Sequence, residues 1–236
     1  MPQMFRRSAP LYDAIYASVR DYPREAAELD RLIQERRPGA RTLLDVACGT
    51  GAHLEHLAGR YDVEGLDVDP DMLAVARERL PDTTFHEADM TSFDLGRRFD
   101  AVVCMFSSIG YARTEEGLRS AVASMARHLE PEGVLVVEPW LKPEDWKDRH
   151  VSAVFVDEPE LNIARLSAHE RDGTLSTITF HYLAGTPDGV EHFTERHETG
   201  LFTVEEQLDA FGAAGLEADH DPEGPMGRGL YIGVAP

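Results

Sequence analysis

Three acidic residues stand where short apolar runs stop. Asp45 lies within Leu43-Leu44-Asp45-Val46-Ala47-Cys48-Gly49-Thr50-Gly51, Asp67 ends Glu64-Gly65-Leu66-Asp67, and Asp89 precedes Met90 after the run Thr84–His86. Each run reads as a strand, and the first leads into glycines that let backbone approach a ligand closely and adopt positive φ. A carboxylate at the second tip can accept hydrogen bonds from both hydroxyls of a ribose. An aspartate at the third can take an exocyclic amine while the next backbone N–H reaches a ring nitrogen, the two features of an adenine edge. Three such acids describe a site for a cationic adenosine without phosphates.

Two common nucleotide loops are excluded. A dinucleotide turn wants Gly-x-Gly-x-x-Gly, but Leu54 holds the third glycine position, and no Gly-Lys-Ser/Thr ending follows. The ligand that fits is S-adenosylmethionine, with Asp45 beside its ammonium group. Ser107-Ser108 lacks the Gly-x-Ser-x-Gly context of a nucleophile. Cys48 and Cys104 sit in apolar runs and read as reduced thiols, and no paired Cys/His spacing marks a metal site.

The elements that must position these residues alternate. Ser8–Val19 and Pro23–Arg37 carry apolar residues at helical spacing. From Thr42 onward come strand Thr42–Ala47, a helix through Leu54 and Leu57, strand Val63–Leu66, helix Pro70–Leu80 and strand Thr84–His86. Strand Ala101–Phe106, a helix from Thr114 through His128 and strand Val134–Glu138 follow. Strands alternating with helices predict βαβ units and a doubly wound α/β parallel sheet. After Trp140 the pattern changes to β-rich runs around Val151–Val156, Ile163–His169, Thr177–Leu183 and Val190–Leu201, with turns at Asp172-Gly173 and Pro187-Asp188-Gly189. A helix from Thr203 and strands Leu216–Ala218 and Leu230–Val234 close the chain. We therefore expect one domain over 1–236: N-terminal helices (1–40), a cofactor-binding core (41–140), an antiparallel β insertion (151–201) and a last helix with strands (202–236).

Composition narrows the partners. Among 236 residues, 43 Asp and Glu outnumber 23 Lys and Arg, a net charge of −20 that argues against nucleic acid. No apolar run approaches the roughly 20 residues of a membrane span, and the N-terminal residues lack a signal-peptide core. The expectation is a cytoplasmic protein, acting away from membranes on a small molecule.

Longer stretches carry a resemblance. Leu44–Gly51 resembles the first motif of class I S-adenosylmethionine-dependent methyltransferases, whose sheet is Rossmann-like. Asp21–Ala27, Leu54–Leu57, Cys104–Tyr111, Val136–Trp140 and Gly224–Leu230 resemble bacterial N-methyltransferases that dimethylate TDP-linked deoxyaminosugars in antibiotic pathways. The resemblance runs nearly end to end. It implies that Asp45, Ala47, Gly49, Gly51, Asp67, Val68, Asp89, Met90 and Met105 hold the cofactor, with Tyr12 and Tyr22 closing over its methionine end. It implies further that Arg228, a guanidinium fork in a glycine-rich turn, pairs with the pyrophosphate. Two positions depart from the pattern: Met4 and Phe5 stand where the family commonly has a tyrosine, and Tyr111 where some members carry histidine.

Methyl transfer to an amine is an in-line displacement that needs alignment and exclusion of water more than a strong base. Tyr111, Glu138, His181, His192 and His197 are the candidates for removing a proton, and none is expected to be obligatory. Ser107, Tyr111, Trp140, His181 and Arg228 are the expected substrate contacts, with Phe106 and Trp146 completing an aromatic edge. Open alternatives are a methyltransferase of another small acceptor, a non-catalytic S-adenosylmethionine-binding scaffold and, disfavoured by Leu54, a nicotinamide dehydrogenase. Exposed hairpins in the insertion suggest a homodimer.

Overall fold

A computed structural model describes residues 5, 7–17, 19–224 and 227–236. Two helices open it, α1 (Ala9–Tyr16) and α2 (Tyr22–Arg36). Asp21 caps α2 by accepting from the Arg24 N–H, and Pro23 fits the first turn, where its missing N–H costs nothing. Then come β1 (Thr42–Val46), α3 (Ala52–Leu57), β2 (Asp62–Asp67), α4 (Pro70–Arg79), β3 (Thr84–Glu87) and β4 (Phe99–Cys104). A 3₁₀ turn (Ser108–Ala112), α5 (Glu115–Arg127) and β5 (Leu129–Val137) follow. The insertion is β6 (Val151–Glu158), β7 (Leu161–Asp172), β8 (Leu175–Thr186) and β9 (Gly189–Gly200), and the chain closes with α6 (Val204–Ala213), β10 (Glu217–Asp221) and β11 (Leu230–Val234).

The main sheet runs β10-β11-β5-β4-β1-β2-β3. Strands β3 to β5 are parallel, while β11 lies antiparallel between β5 and β10. Successive side chains of a strand point to opposite faces, so a strand covered on both sides is apolar throughout. Leu44, Val46, Val102, Cys104, Leu135 and Val137 pack on one face with Leu118 and Phe211 of α5 and α6. Their neighbours Leu43, Ala101, Val103, Val134 and Val136 pack on the other with Leu29 of α2 and Leu54 of α3. Leu54, which removed the dinucleotide motif, is thus a core residue with no exposure.

Strand order reverses between β1 and β4, which opens a crevice at the carboxyl ends of the strands. The sheet β6-β7-β8-β9 covers this crevice, and α1 fills the space between, its Ile15 packing with Ile163, Tyr182 and Phe193. Strand β5 begins earlier than the apolar run suggests, because a bulge realigns it against β4 between Phe99 and Ala101. Among the described residues no helix is long and apolar enough to cross a membrane.

Candidate active site

The crevice contains a cavity of about 330 Å³ between the strand tips, α1 and the inner face of the insertion. A wider recess of about 860 Å³ shares Asp67, Met90 and Tyr111 with it and reaches Asp89. A small recess beside it is lined by Asp45, Met105, Tyr12 and Tyr22. Ala47, Gly49 and Val68 border the first cavity as well.

One half of this space is acidic. Asp67 accepts the Gly49 N–H on Oδ2 (2.8 Å) and the Asp69 N–H on Oδ1 (2.9 Å), leaving each oxygen a second lone pair. Burial pushes its carboxyl up to about 6 against those two amides. Asp69, not Asp67, caps α4, through the Asp71 and Met72 amides. Asp45 is buried, and burial together with Asp67 holds its carboxyl well above the usual carboxylate range. Asp89 bonds the Thr91 N–H and hydroxyl through Oδ1 alone (2.8 and 2.7 Å). Among the described residues no cation lies within ion-pair distance of Asp45, Asp67 or Asp89. Tyr22 lines the same recess as Asp45, and its hydroxyl is buried without a partner among the described residues. Gly49 has φ +55°, and a Cβ there would sit 3.2 Å from Met72 Cε, so the turn admits only glycine without strain.

The other half is cationic and aromatic. Arg228 donates to Ser107 Oγ (2.9 Å) and lies over the Trp140 ring, 5.1 Å from its centroid. Arg165 of β7 donates to the Tyr16 hydroxyl (3.0 Å) and stacks on Phe180. Tyr111 and His197 Nδ1 are 2.8 Å apart. Burial drives the Tyr111 phenol upward, so it stays protonated and shares a hydrogen bond with His197 rather than acting as a phenolate base. Phe5 packs against the His197 and Tyr111 rings and lines the cavity.

A buried ion network fixes the turn between the halves. Phe106 and Ser107 are consecutive non-glycine residues at φ +54° and +64°, a conformation costing about 1–3 kcal/mol per residue unless its surroundings enforce it. Glu138 accepts the Phe106 N–H at 2.7 Å, and Arg20 grips Glu138 with both terminal nitrogens (3.2 and 3.1 Å). Arg20 also pairs with Glu25, which His53 contacts at 2.8 Å, and lies 4.3 Å over the Phe106 ring.

Several sequence expectations are corrected. Glu138 is fully buried in that network and does not border the cavities, so it is no candidate base. His181 and His192 stack on each other on the outer, exposed face of the insertion, and neither touches the cavity. Trp146 stacks on His169 and packs against Trp140 but does not border the cavity. Gly51 packs α3 against Ala76 of α4 rather than lining the crevice. Met4, Pro225 and Met226 lie outside the described residues. Sequence reasoning missed Arg20, Tyr16 and Arg165. Arg165 carried a signal, because Ile163, Arg165 and Ser167 share one face of a strand whose apolar member must point inward.

A sheet of this order, with glycines after its first strand and acids at the next tips, defines a class I methyltransferase fold. The description "Methyltransferase domain" matches residues 43–133. The dTDP-3-amino-3,4,6-trideoxy-alpha-D-glucopyranose N,N-dimethyltransferase of Streptomyces venezuelae is 48% identical over 96% of this chain and 97% of its own length. The crystal structure of Streptomyces venezuelae DesVI superposes with a TM-score of 0.92 at 47% identity, covering 97% of this chain and 98% of that one. SAM-bound CalS10, an amino pentose methyltransferase from Micromonospora echinaspora, gives 0.87 at 42% identity over 96% and 97%. The chain belongs to the family of bacterial dTDP-aminosugar N,N-dimethyltransferases, and its cofactor is S-adenosylmethionine.

Proposed function

We propose that this protein methylates the amino group of a dTDP-linked deoxyaminosugar, taking methyl groups from S-adenosylmethionine. The observation that carries this reading is the division of charge in one crevice. Among the described residues, acids without cations occupy one half, and guanidiniums without acids the other. The first suits a donor bearing a sulfonium and an ammonium, the second an acceptor bearing a diphosphate.

The residues fit the cofactor. Asp67 has lone pairs for the ribose hydroxyls, Asp89 a free oxygen for the adenine amine beside the Met90 N–H, and Asp45 a buried carboxyl that the methionine ammonium would favour in its ionised form. Tyr22 offers its unpartnered hydroxyl at the same end, and Tyr12 borders both cavities. When bound, S-adenosylmethionine supplies a methyl group already activated on sulfur. What the chain adds is alignment, which is worth about 7–11 kcal/mol when the reacting atoms are held near attack distance. The Phe106–Ser107 turn, clamped by Glu138, presents Ser107 and Arg228 to the acceptor, and the Trp140 ring backs the guanidinium. A positively charged donor beside the acceptor nitrogen would disfavour its ammonium form, so no dedicated base is assigned. Tyr111 is hydrogen-bonded to His197 and shapes the pocket wall rather than removing a proton.

Incubating the protein with S-adenosylmethionine and a panel of dTDP-3-amino and dTDP-4-amino sugars tests the reading. Mass spectrometry should show one and then two methyl additions on a panel member, and no addition to any would overturn it. The protein is further proposed to work in the cytoplasm as a homodimer joined through the outer face of the insertion. There Phe155 and Val190 are 73% and 76% exposed beside Leu166 and Leu183. A monomer in sedimentation analysis would reject the dimer.

A further inference from the structure

We propose that Arg165 is a second cation of the diphosphate site, gripping the acceptor's diphosphate from the insertion while Arg228 grips it from the glycine-rich turn. This rests on the nucleotide-sugar reading and deepens it. Arg165 is 8% exposed, and its polar partners are phenol hydroxyls rather than carboxylates. Tyr16 accepts from it at 3.0 Å, and its guanidinium lies against the Tyr16 and Phe180 rings at 5.0 and 4.6 Å. Phenols satisfy only part of a guanidinium's five N–H donors. None of its nitrogens is among the buried atoms that lack a partner, and the side chain lines the cavity. Arg20 differs, with a buried Nε that has no partner.

Burying a cation without an acid is costly, and Arg20, the other buried arginine among the described residues, does not do so. Arg20 pairs with Glu25 and Glu138, Arg79 with Asp13, and Arg37 with Asp100. With 43 acidic residues against 23 basic ones, an unpaired buried guanidinium is not explained by a shortage of partners. Arg165 and Arg228 both lack one among the described residues, and both line the same cavity. A diphosphate supplies what each is missing, and two guanidinium forks match its two phosphoryl groups. Neutral donors stand alongside: Ser167, two residues along the same face of β7, meets the Ser152 hydroxyl at 2.6 Å and His169 Nε2 at 3.2 Å, and all three border the cavity.

The test is calorimetric titration of dTDP and of thymidine into wild type, Arg165→Met and Arg165→Lys, each saturated with S-adenosylhomocysteine. Wild type should prefer dTDP. Arg165→Met should lose tenfold or more of dTDP affinity while keeping thymidine within twofold, and KM for the sugar nucleotide should rise with kcat within about threefold. Arg165→Lys keeps the charge but not the fork, so it should recover part of the loss. If wild type prefers dTDP and Arg165→Met binds it equally well, the inference fails while the proposed function stands. Equal losses of dTDP and thymidine would mark a packing role and also overturn it. A wild type with no preference for dTDP would overturn the nucleotide-sugar reading and this inference together. Should Arg165→Met not take up S-adenosylhomocysteine, Arg165→Lys decides: it must lose dTDP affinity several-fold with S-adenosylhomocysteine binding intact, and unchanged dTDP affinity refutes the assignment.

Discussion

Replacing Asp67 with asparagine should make the ligand-free protein more stable near neutrality and a worse binder of its donor. The carboxyl moves from an ordinary 3.8 to about 6 on folding, chiefly through burial. A raised carboxyl binds its proton more tightly in the folded than in the unfolded state. Stability therefore falls as pH rises between about 4 and 6. Two units at about 1.4 kcal/mol each give a loss of about 3 kcal/mol, fully expressed by pH 7. Asparagine escapes this but accepts only one of the two backbone N–H groups well, at a cost of about 1 kcal/mol. Urea denaturation of both proteins from pH 4 to pH 7.5 measures the difference directly. The stability of Asp67→Asn relative to wild type should grow by about 3 kcal/mol across that range. Ribose hydroxyls donate to the ionised carboxylate, so wild-type affinity for S-adenosylhomocysteine should rise as pH passes about 6. The variant should bind at least tenfold more weakly at pH 7.5, without that rise. Parallel stability curves, or a variant that binds as well as wild type, would refute the assignment of strain and role to this carboxylate.

Three further outcomes follow from the same geometry. Glu138→Gln leaves Arg20 with Glu25 as its remaining acid and loosens the Phe106–Ser107 turn, so urea denaturation should show a loss of about 2–3 kcal/mol. Tyr111→Phe removes only a hydrogen bond to His197, and kcat should stay within about tenfold of wild type; complete loss of turnover with both ligands still bound would show an obligatory role. A His181→Ala, His192→Ala double variant should keep kcat and KM within twofold, since both rings lie on the outer face of the insertion, and a larger drop would place that face in the reaction.

Much of the core could be read from the sequence because β1, β4 and β5 are covered on both faces. Continuous apolar runs such as Ala101–Phe106 are the direct consequence of that burial. Acids that interrupt or end such runs mark the strand tips, which made Asp45, Asp67 and Asp89 visible together. The insertion was harder, since its strands face a cavity on one side and solvent on the other, and a one-residue change of phase exchanges the two. Ile178, Phe180 and Tyr182 nevertheless set that phase: they point inward, so His181 must point out. Arg165 escaped notice because an inward cation on a strand looks no different from an outward one until its neighbours Ile163 and Ser167 fix the face. The Arg20–Glu138 pair joins positions from opposite ends of the core, and no local pattern couples them. Orientation of β11 was equally silent. A glycine-rich connection reverses it between β5 and β10, and that brings Arg228 over Trp140.

The most direct measurement is a crystal structure with S-adenosylhomocysteine and dTDP bound together. The division of charge requires the ribose hydroxyls on Asp67, the adenine edge at Asp89 and Met90, and the diphosphate on Arg228. A diphosphate seated elsewhere, or an adenosine bound away from the three acids, would contradict the account.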